Sequence, residues 1–171
     1  MAASQERAVD GGRRPFAGLT WMHTLNGSWS ANAFYVLTEP ASSSGARRVA
    51  GARYYVVLRD TGGPTAPTTE QWADSRTCPG VTDMLLAMEG LPPVRPDAPG
   101  LGQEGDFVLT ADGIHHLFWT RSARSGPDDT RVQLEISGNV DSPVALWWEK
   151  ASEGLETCWS STPPAGLAGE R

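Results

Sequence analysis

Two cysteines are the clearest candidates for chemistry in this chain of 171 residues. Cys78 stands directly before Pro79, at the predicted start of a helix, where the helix dipole and free N–H groups favour a thiolate nucleophile. Such a nucleophile also needs a base nearby, and the chain offers only His23, His115 and His116. A catalytic thiol is therefore one of three alternatives for this cysteine.

The second alternative is a metal site made from the two cysteines and the three histidines. Zinc sites built on neighbouring ligands show a Cys-x2-Cys pair or a His-x3-His pair, and neither spacing occurs here. Every ligand would therefore come from a different element. We expect no metal and no cofactor.

The third alternative is a disulfide between Cys78 and Cys158, which leaves no cysteine over. One predicted helix begins at Cys78 and another ends at Cys158, so antiparallel packing of the two helices would bring the sulfurs together. A bridge that encloses about eighty residues stabilises the folded state by roughly 4 to 5 kcal/mol on the chain-entropy model. The sequence favours this alternative, which places the protein in an oxidising compartment: the periplasm, the cell surface or the exterior.

Two adjacent histidines are the next candidates. His115 and His116 lie on a predicted strand, 113–121, together with Trp119. Neighbouring residues of a strand point to opposite faces of a sheet, so the two imidazoles cannot bind one ion together and at most one faces a cleft. The Pro- and Gly-rich loop 91–106 is the predicted rim of that cleft. We predict these three side chains as possible ligand contacts, and an aromatic platform suits a sugar or a small apolar molecule.

Charge and hydropathy exclude several classes of protein. The formal net charge is −6, and no basic cluster exceeds two adjacent arginines, so the chain lacks the basic stripe that nucleic-acid binding requires. No apolar run reaches the roughly 18 residues that span a bilayer. A Gly-rich phosphate loop and a nucleophile elbow are also absent from the sequence. We predict no nucleic-acid partner and no transmembrane segment, and no motif names an enzymatic activity.

Hydrophobic patterns predict strands separated by turn residues. The dipeptide Asn26-Gly27 favours a hairpin turn between the first two strands. Small, polar and Gly/Pro-rich composition predicts loops at 39–48 and 61–71, the second without any regular element. The predicted strands are 19–25, 30–38, 53–59, 107–110, 113–121 and 131–137.

The last of these strands, 131–137, alternates strictly between apolar and polar residues. Val132, Leu134 and Ile136 fall on one face, which we predict to be buried. Strict alternation is typical of a strand with one wet side.

Two helices are predicted from apolar residues at helical spacing. The first begins after Cys78 and carries Val81, Met84, Leu85 and Met88 on one face. The second begins after the N-cap Ser142 and extends towards Cys158. Its apolar stripe contains Ala145, Trp148, Leu155 and Trp159.

Together these elements predict an α+β fold. We expect an antiparallel sheet of five or six strands, two short helices packed on one face, and one disulfide that bridges the helices. A single globular domain would occupy 16–162, with a disordered tail at 1–15 and a flexible tail at 163–171.

Two short segments resemble uncharacterised exported proteins of GC-rich proteobacteria. The first is W-x-D-S-R-x-C-P, from Trp72 to Pro79. The second is S-P-x-A-x-W followed by L-x-x-C-W, from Ser142 to Trp159. The resemblance implies export and the disulfide, and it implies no activity.

The leading hypothesis for function is a non-catalytic exported bacterial protein that acts through surface interaction, as an accessory or subunit of an envelope assembly. The alternative is a small-molecule-binding or hydrolytic domain. Its site would lie beside strand 113–121 and loop 91–106. The partner is then either another protein or a small apolar or sugar ligand.

Overall fold

The structure, a computed structural model, describes residues 13–40, 42–44, 47–49, 51–93, 113–125, 128, 130–165 and 167. The predicted strand 107–110 lies outside these residues, and so do most of loop 91–106 and most of the two predicted tails. The strands of the described chain are β1 (Ala17–His23), β2 (Trp29–Thr38), β3 (Ser42–Ser44), β4 (Arg47–Val49), β5 (Arg53–Gly62), β6 (Thr69–Asp74), β7 (Ile114–Ser125) and β8 (Thr130–Gly138). The helices are α1 (Pro79–Glu89) and α2 (Pro143–Leu155), and a short 3-10 turn follows at Glu156–Cys158.

Six of these strands form one antiparallel sheet in the order β6-β5-β2-β1-β7-β8. Both helices pack on the same face of it, where a continuous core joins sheet residues such as Leu19, Phe34 and Phe118 to Val81 of α1 and Trp147 of α2. This arrangement confirms the predicted α+β fold.

The hairpin between β1 and β2 sets the register of the central strands. Gly27 has a φ of 67°, and its N–H donates to the His23 carbonyl. The Asn26 side chain accepts hydrogen bonds from the N–H and the hydroxyl of Ser28. A left-handed residue closes a tight turn without the steric cost that a Cβ would add, so the predicted Asn-Gly turn is confirmed.

Both predicted loops, 39–48 and 61–71, contain strand structure, so these predictions were wrong in part. The short strands β3 and β4 pair with each other inside the first loop, and β5 and β6 extend into the second and leave only 63–68 as a turn. The β3–β4 pair is a separate two-stranded sheet, whereas β5 and β6 are neighbours in the main sheet. Ladder hydrogen bonds use the backbone, so a polar or Thr-rich composition does not prevent them.

Strand β8 also differs from its predicted burial. Ile136 is half-buried, but Val132 and Leu134 are 38% and 36% exposed. Alternation indicates which residues share a face, whereas burial depends on what packs over that face. Only the Ile136 end of this strand is near α2 among the described elements.

A set of contacts that we name the clasp joins the last segment of the described chain to the turn between β6 and α1. It contains the predicted disulfide Cys78–Cys158, with a Cα–Cα distance of 5.8 Å. Beside it, the N–H groups of Trp72 and Ser160 donate to each other's carbonyls at 2.8 and 2.9 Å. The clasp therefore holds the chain immediately after α2 at the β6 edge of the sheet.

Asp74 organises the turn inside the clasp. Its backbone carbonyl accepts hydrogen bonds from the N–H groups of Thr77 and Cys78. Its carboxylate accepts from the backbone N–H of Arg76 at 2.8 Å and from the Nη2 of the same residue at 2.6 Å. The guanidinium also lies over the Tyr54 ring, with Cζ 3.8 Å from the centroid. The charged side chains of Asp74 and Arg76 thus stabilise the turn between β6 and α1.

Candidate functional site: a crevice between the sheet and helix α2

The structure separates the two adjacent histidines as predicted from strand geometry. His116 points to the helix-covered face of the sheet and is 7% exposed. His115 points to the other face, where its Nε2 lies 2.7 Å from the Ser137 hydroxyl. Trp119 shares that other face and packs so closely on Gly18 that a Cβ there would lie 2.8 Å from the indole. Of the three predicted ligand contacts, only His116 faces the crevice described below.

Four central strands place one side chain each in a single row across the sheet. The ladder pairs Thr61 of β5 with Ser30 of β2, Ser30 with Trp21 of β1, and Trp21 with His116 of β7. All four point to the helix side, and we name them the floor row. Three strand spacings of about 4.8 Å make this row about 14 Å long.

Helix α2 forms the opposite wall with one of its faces. Ala145, Trp148, Glu149 and Ser152 line the crevice at positions i, i+3, i+4 and i+7, and we name them the wall stripe. Residues before the helix, Val140 and Asp141, close one end, and Ile114 and Arg59 complete the lining. The cavity has a volume of about 520 Å³, which is in the usual range for small-molecule sites.

The crevice exists because α2 is fixed at both ends. At its start, Ser142 caps the helix by accepting from the Ala145 N–H, and it packs on Gly138, where a Cβ would lie 2.7 Å from the Ser142 Cβ. At its end, the clasp holds Cys158. The helix therefore crosses the strands from the β8 side to the β6 edge, alongside the floor row.

An aromatic cluster sets the height of the wall above the sheet. Trp147 packs on Phe34 and Phe118, with ring centroids 6.5 and 5.6 Å apart, and its Nε1 donates to the Met84 carbonyl at 3.2 Å. Trp148 stacks on Phe34 at 6.4 Å. Trp148 thus belongs to the core and also presents part of its ring to the crevice.

Several polar atoms at the crevice have no hydrogen-bond partner among the described residues. They include Nδ1 of His116 and Nε of Arg59. Burial is the main cause that lowers the pKa of His116 below 6.5, and the nearby Ile114 carbonyl opposes it. Burial also lowers the pKa of Arg59. Buried polar groups in proteins are normally bonded, so these two side chains are suited to contact a ligand.

Beside the floor row, the buried residue Asn32 has one more polar atom without a hydrogen-bond partner among the described residues. Asn32 is 2% exposed and lies directly opposite Arg59 in the ladder between β2 and β5. Its amide nitrogen donates to the Leu19 carbonyl and to the Ser30 hydroxyl. Its Oδ1 has no partner within the described chain. The face of β2 that points to the helices is therefore polar at Ser30 and Asn32, next to the crevice, and apolar at Phe34, in the core.

The floor row does not pair a nucleophile with a base. Ser30 is the hydroxyl nearest to His116 along the floor row, but Trp21 stands between them, so the two are about 10 Å apart across the strands. A nucleophile and its base must lie within hydrogen-bonding distance. No group of three or more His, Cys, Asp or Glu side chains in the described residues is placed to hold a metal ion.

Sequence reasoning found His116 but missed Arg59 and the other three members of the floor row, Trp21, Ser30 and Thr61. A signal was present in the hairpin, because the Asn-Gly turn fixes Trp21 opposite Ser30. Polar residues at the inward positions of β2 would then have marked a polar site on the helix face. The contribution of Arg59 depends on β5 pairing with β2, which no local pattern shows.

No protein-family model, curated protein or solved structure matches this chain. None of the helices in the described residues is both long and apolar enough to cross a membrane.

Proposed function

We propose that this chain is an exported, non-catalytic bacterial protein that binds a short sugar chain in the crevice. The floor row carries the proposal, because it places two hydroxyls, an indole and an imidazole in line along one elongated cavity. Sugars bind through stacking of their apolar faces on aromatic rings and through hydrogen bonds of their hydroxyls. Trp21 is half-buried and supplies most of the aromatic surface, because Trp148, which also lines the cavity, is only 4% exposed.

The wall and the end of the crevice add hydrogen-bond acceptors. Glu149 and Asp141 are exposed carboxylates that line the same cavity. A sugar hydroxyl donates well to an ionised carboxylate. The length of the floor row, about 14 Å, suits a linear chain of rings better than a single ring.

Export is proposed from the disulfide. A structural bridge persists in oxidising compartments and is rare in the cytosol of most bacteria. The clasp, which this bridge closes, holds α2 over the sheet, so an oxidising location also maintains the crevice. The sequence-based hypothesis of an interaction with another protein of the envelope remains a prediction.

The test is a binding titration by calorimetry with a panel of defined sugars: maltotriose, cellotriose, chitotriose, lactose, glucuronosyl-xylobiose and sialyllactose. We expect at least one to bind to the wild-type protein. His116→Gln is expected to weaken that binding about tenfold, the scale of one hydrogen bond lost from a buried site. His115→Gln is the matched control, because its ring lies on the other face of the sheet, and it should bind as the wild type does. Absence of binding by every sugar, or equal losses in the two variants, would contradict the proposal.

A further inference from the structure

Arg59 occupies the β5 end of the crevice and is held in one orientation. Its Cζ lies 3.7 Å from the centroid of the Trp159 ring, and its Nη2 donates to the Gln71 side chain. Its Nε is buried without a partner among the described residues. The guanidinium is therefore positioned before any ligand arrives, which lowers the entropic cost of binding.

No carboxylate of the described chain neutralises this arginine. Arg76 is the matched contrast, because it is also stacked on an aromatic ring but forms an ion pair with Asp74 at 2.6 Å. The hydrogen bond that Arg76 donates to the Asp74 carboxylate is the main cause that raises the pKa of Arg76, whereas burial alone lowers the pKa of Arg59. Arg59 is thus a partly buried cation without a counter-ion among the described residues.

Charge in the crevice is arranged unevenly. Asp141 lies at the end near His116, and Glu149 lies along the wall, yet neither forms an ion pair with Arg59 in the described structure. A partly buried cation is costly when it is unpaired, and a planar carboxylate fits a guanidinium with two parallel hydrogen bonds. A ligand with a single negative charge at one end would pair with Arg59 and would place no second charge against the two carboxylates.

We propose that the ligand is an acidic oligosaccharide whose single terminal carboxylate pairs with Arg59 at the β5 end of the crevice. The uncharged rings then extend along the floor row towards His116. This inference rests on the proposed function, because the same crevice must accept the sugar. It adds the chemical class of the ligand and the direction in which it lies.

The experiment compares acidic sugars with their own methyl esters, which keep the shape and remove the charge. Glucuronosyl-xylobiose and sialyllactose each carry one carboxylate, and calorimetry measures the affinity of both acids and both esters. We expect at least one acid to bind about tenfold to a hundredfold more tightly than its ester, the range for a charge-assisted hydrogen bond. The preference should fall as sodium chloride is added, since salt screens partly exposed charges.

Three variants assign the preference to one side chain. Arg59→Gln is expected to bind acid and ester equally, and Arg59→Lys should retain part of the preference because it keeps the charge. Arg76→Gln is the control, since this arginine lies outside the crevice, and it should keep the full preference. Thermal melting of each variant checks that it is folded. If Arg59→Gln does not fold, Arg59→Lys and the salt dependence decide the question.

The outcomes separate the two proposals. Equal affinity of acid and ester in the wild type, or a preference that survives in Arg59→Gln, overturns the acidic ligand and leaves the sugar-binding function standing. Failure of acids, esters and neutral sugars alike to bind overturns the function itself.

Discussion

The clasp and the crevice are built from similar side chains but use them in opposite ways. In the clasp, Asp74 and Arg76 bond to each other and to the backbone of the turn. In the crevice, His116 and Arg59 keep nitrogen atoms without a partner among the described residues. A protein gains stability where polar groups are satisfied internally, and it keeps binding capacity where they are not.

The two regions are also connected. Helix α2 starts beside the crevice and ends at the clasp, so the disulfide fixes the far end of the wall stripe. The clasp can therefore be broken to test stability, and the crevice can be changed to test function. Their effects should differ in size and in kind.

Breaking the disulfide should have the largest effect. We expect the double variant Cys78→Ala and Cys158→Ala to lose about 4 to 5 kcal/mol of unfolding free energy, because the bridge closes a long loop in the unfolded chain. The sequence separation of the two cysteines is 80 residues. Urea unfolding of the oxidised wild type and the double variant measures the loss. Reductant should lower the midpoint of the wild type and leave the variant unchanged, and a wild-type midpoint unaffected by reductant would contradict a stabilising bridge.

Removing the carboxylate of the clasp should have an intermediate effect. Asp74→Ala leaves the N–H of Arg76 without its acceptor in a partly buried turn, and we expect a loss of about 1 to 3 kcal/mol. Asp83→Ala is a matched control, because Asp83 is an exposed carboxylate on α1. Chemical denaturation of both variants gives the comparison. Similar small losses in the two variants would show that the Asp74 contacts add nothing to stability.

The buried imidazole of the crevice should give the smallest effect, seen as a dependence of stability on pH. The folded protein holds the pKa of His116 below 6.5, so the unfolded chain binds more protons below that pH. The contribution to stability is therefore complete above pH 6.5 and is lost as the pH falls towards and through the folded-state pKa. Unfolding free energies between pH 7 and pH 5 should decline less in His116→Gln than in the wild type.

His115→Gln again serves as the control for this pH dependence, because it leaves His116 in place. It should follow the wild-type decline. Identical slopes in the wild type and in His116→Gln would show that burial of this imidazole does not affect stability.

Local patterns were sufficient for the parts of the fold that depend on short-range chemistry. Pro79 after Cys78 and Pro143 after Ser142 marked the two helix starts, and the Asn-Gly pair marked the hairpin. The disulfide was predictable because two cysteines at the ends of two helices have few other uses in a chain without metal-ligand spacing. These features arise from backbone preference and from residue count.

Local patterns failed to predict features that depend on pairing between distant parts of the chain. The strands β5 and β6 extend into a Thr- and Gly-rich stretch because each has the other as a neighbour. Val132 and Leu134 alternate like buried residues, yet they are exposed. Strand propensity and burial both depend on the elements that lie alongside, which a local window of sequence does not contain.

By itself, the sequence determined the helix starts, the hairpin turn, the disulfide partners and the opposite directions of His115 and His116. Only the tertiary structure decided that His116 shares a crevice with Trp21 and Arg59. The reason is that the crevice is made by register across four strands and by a helix fixed at both ends. Those relations join residues far apart in the chain, and they appear only when the sheet is assembled.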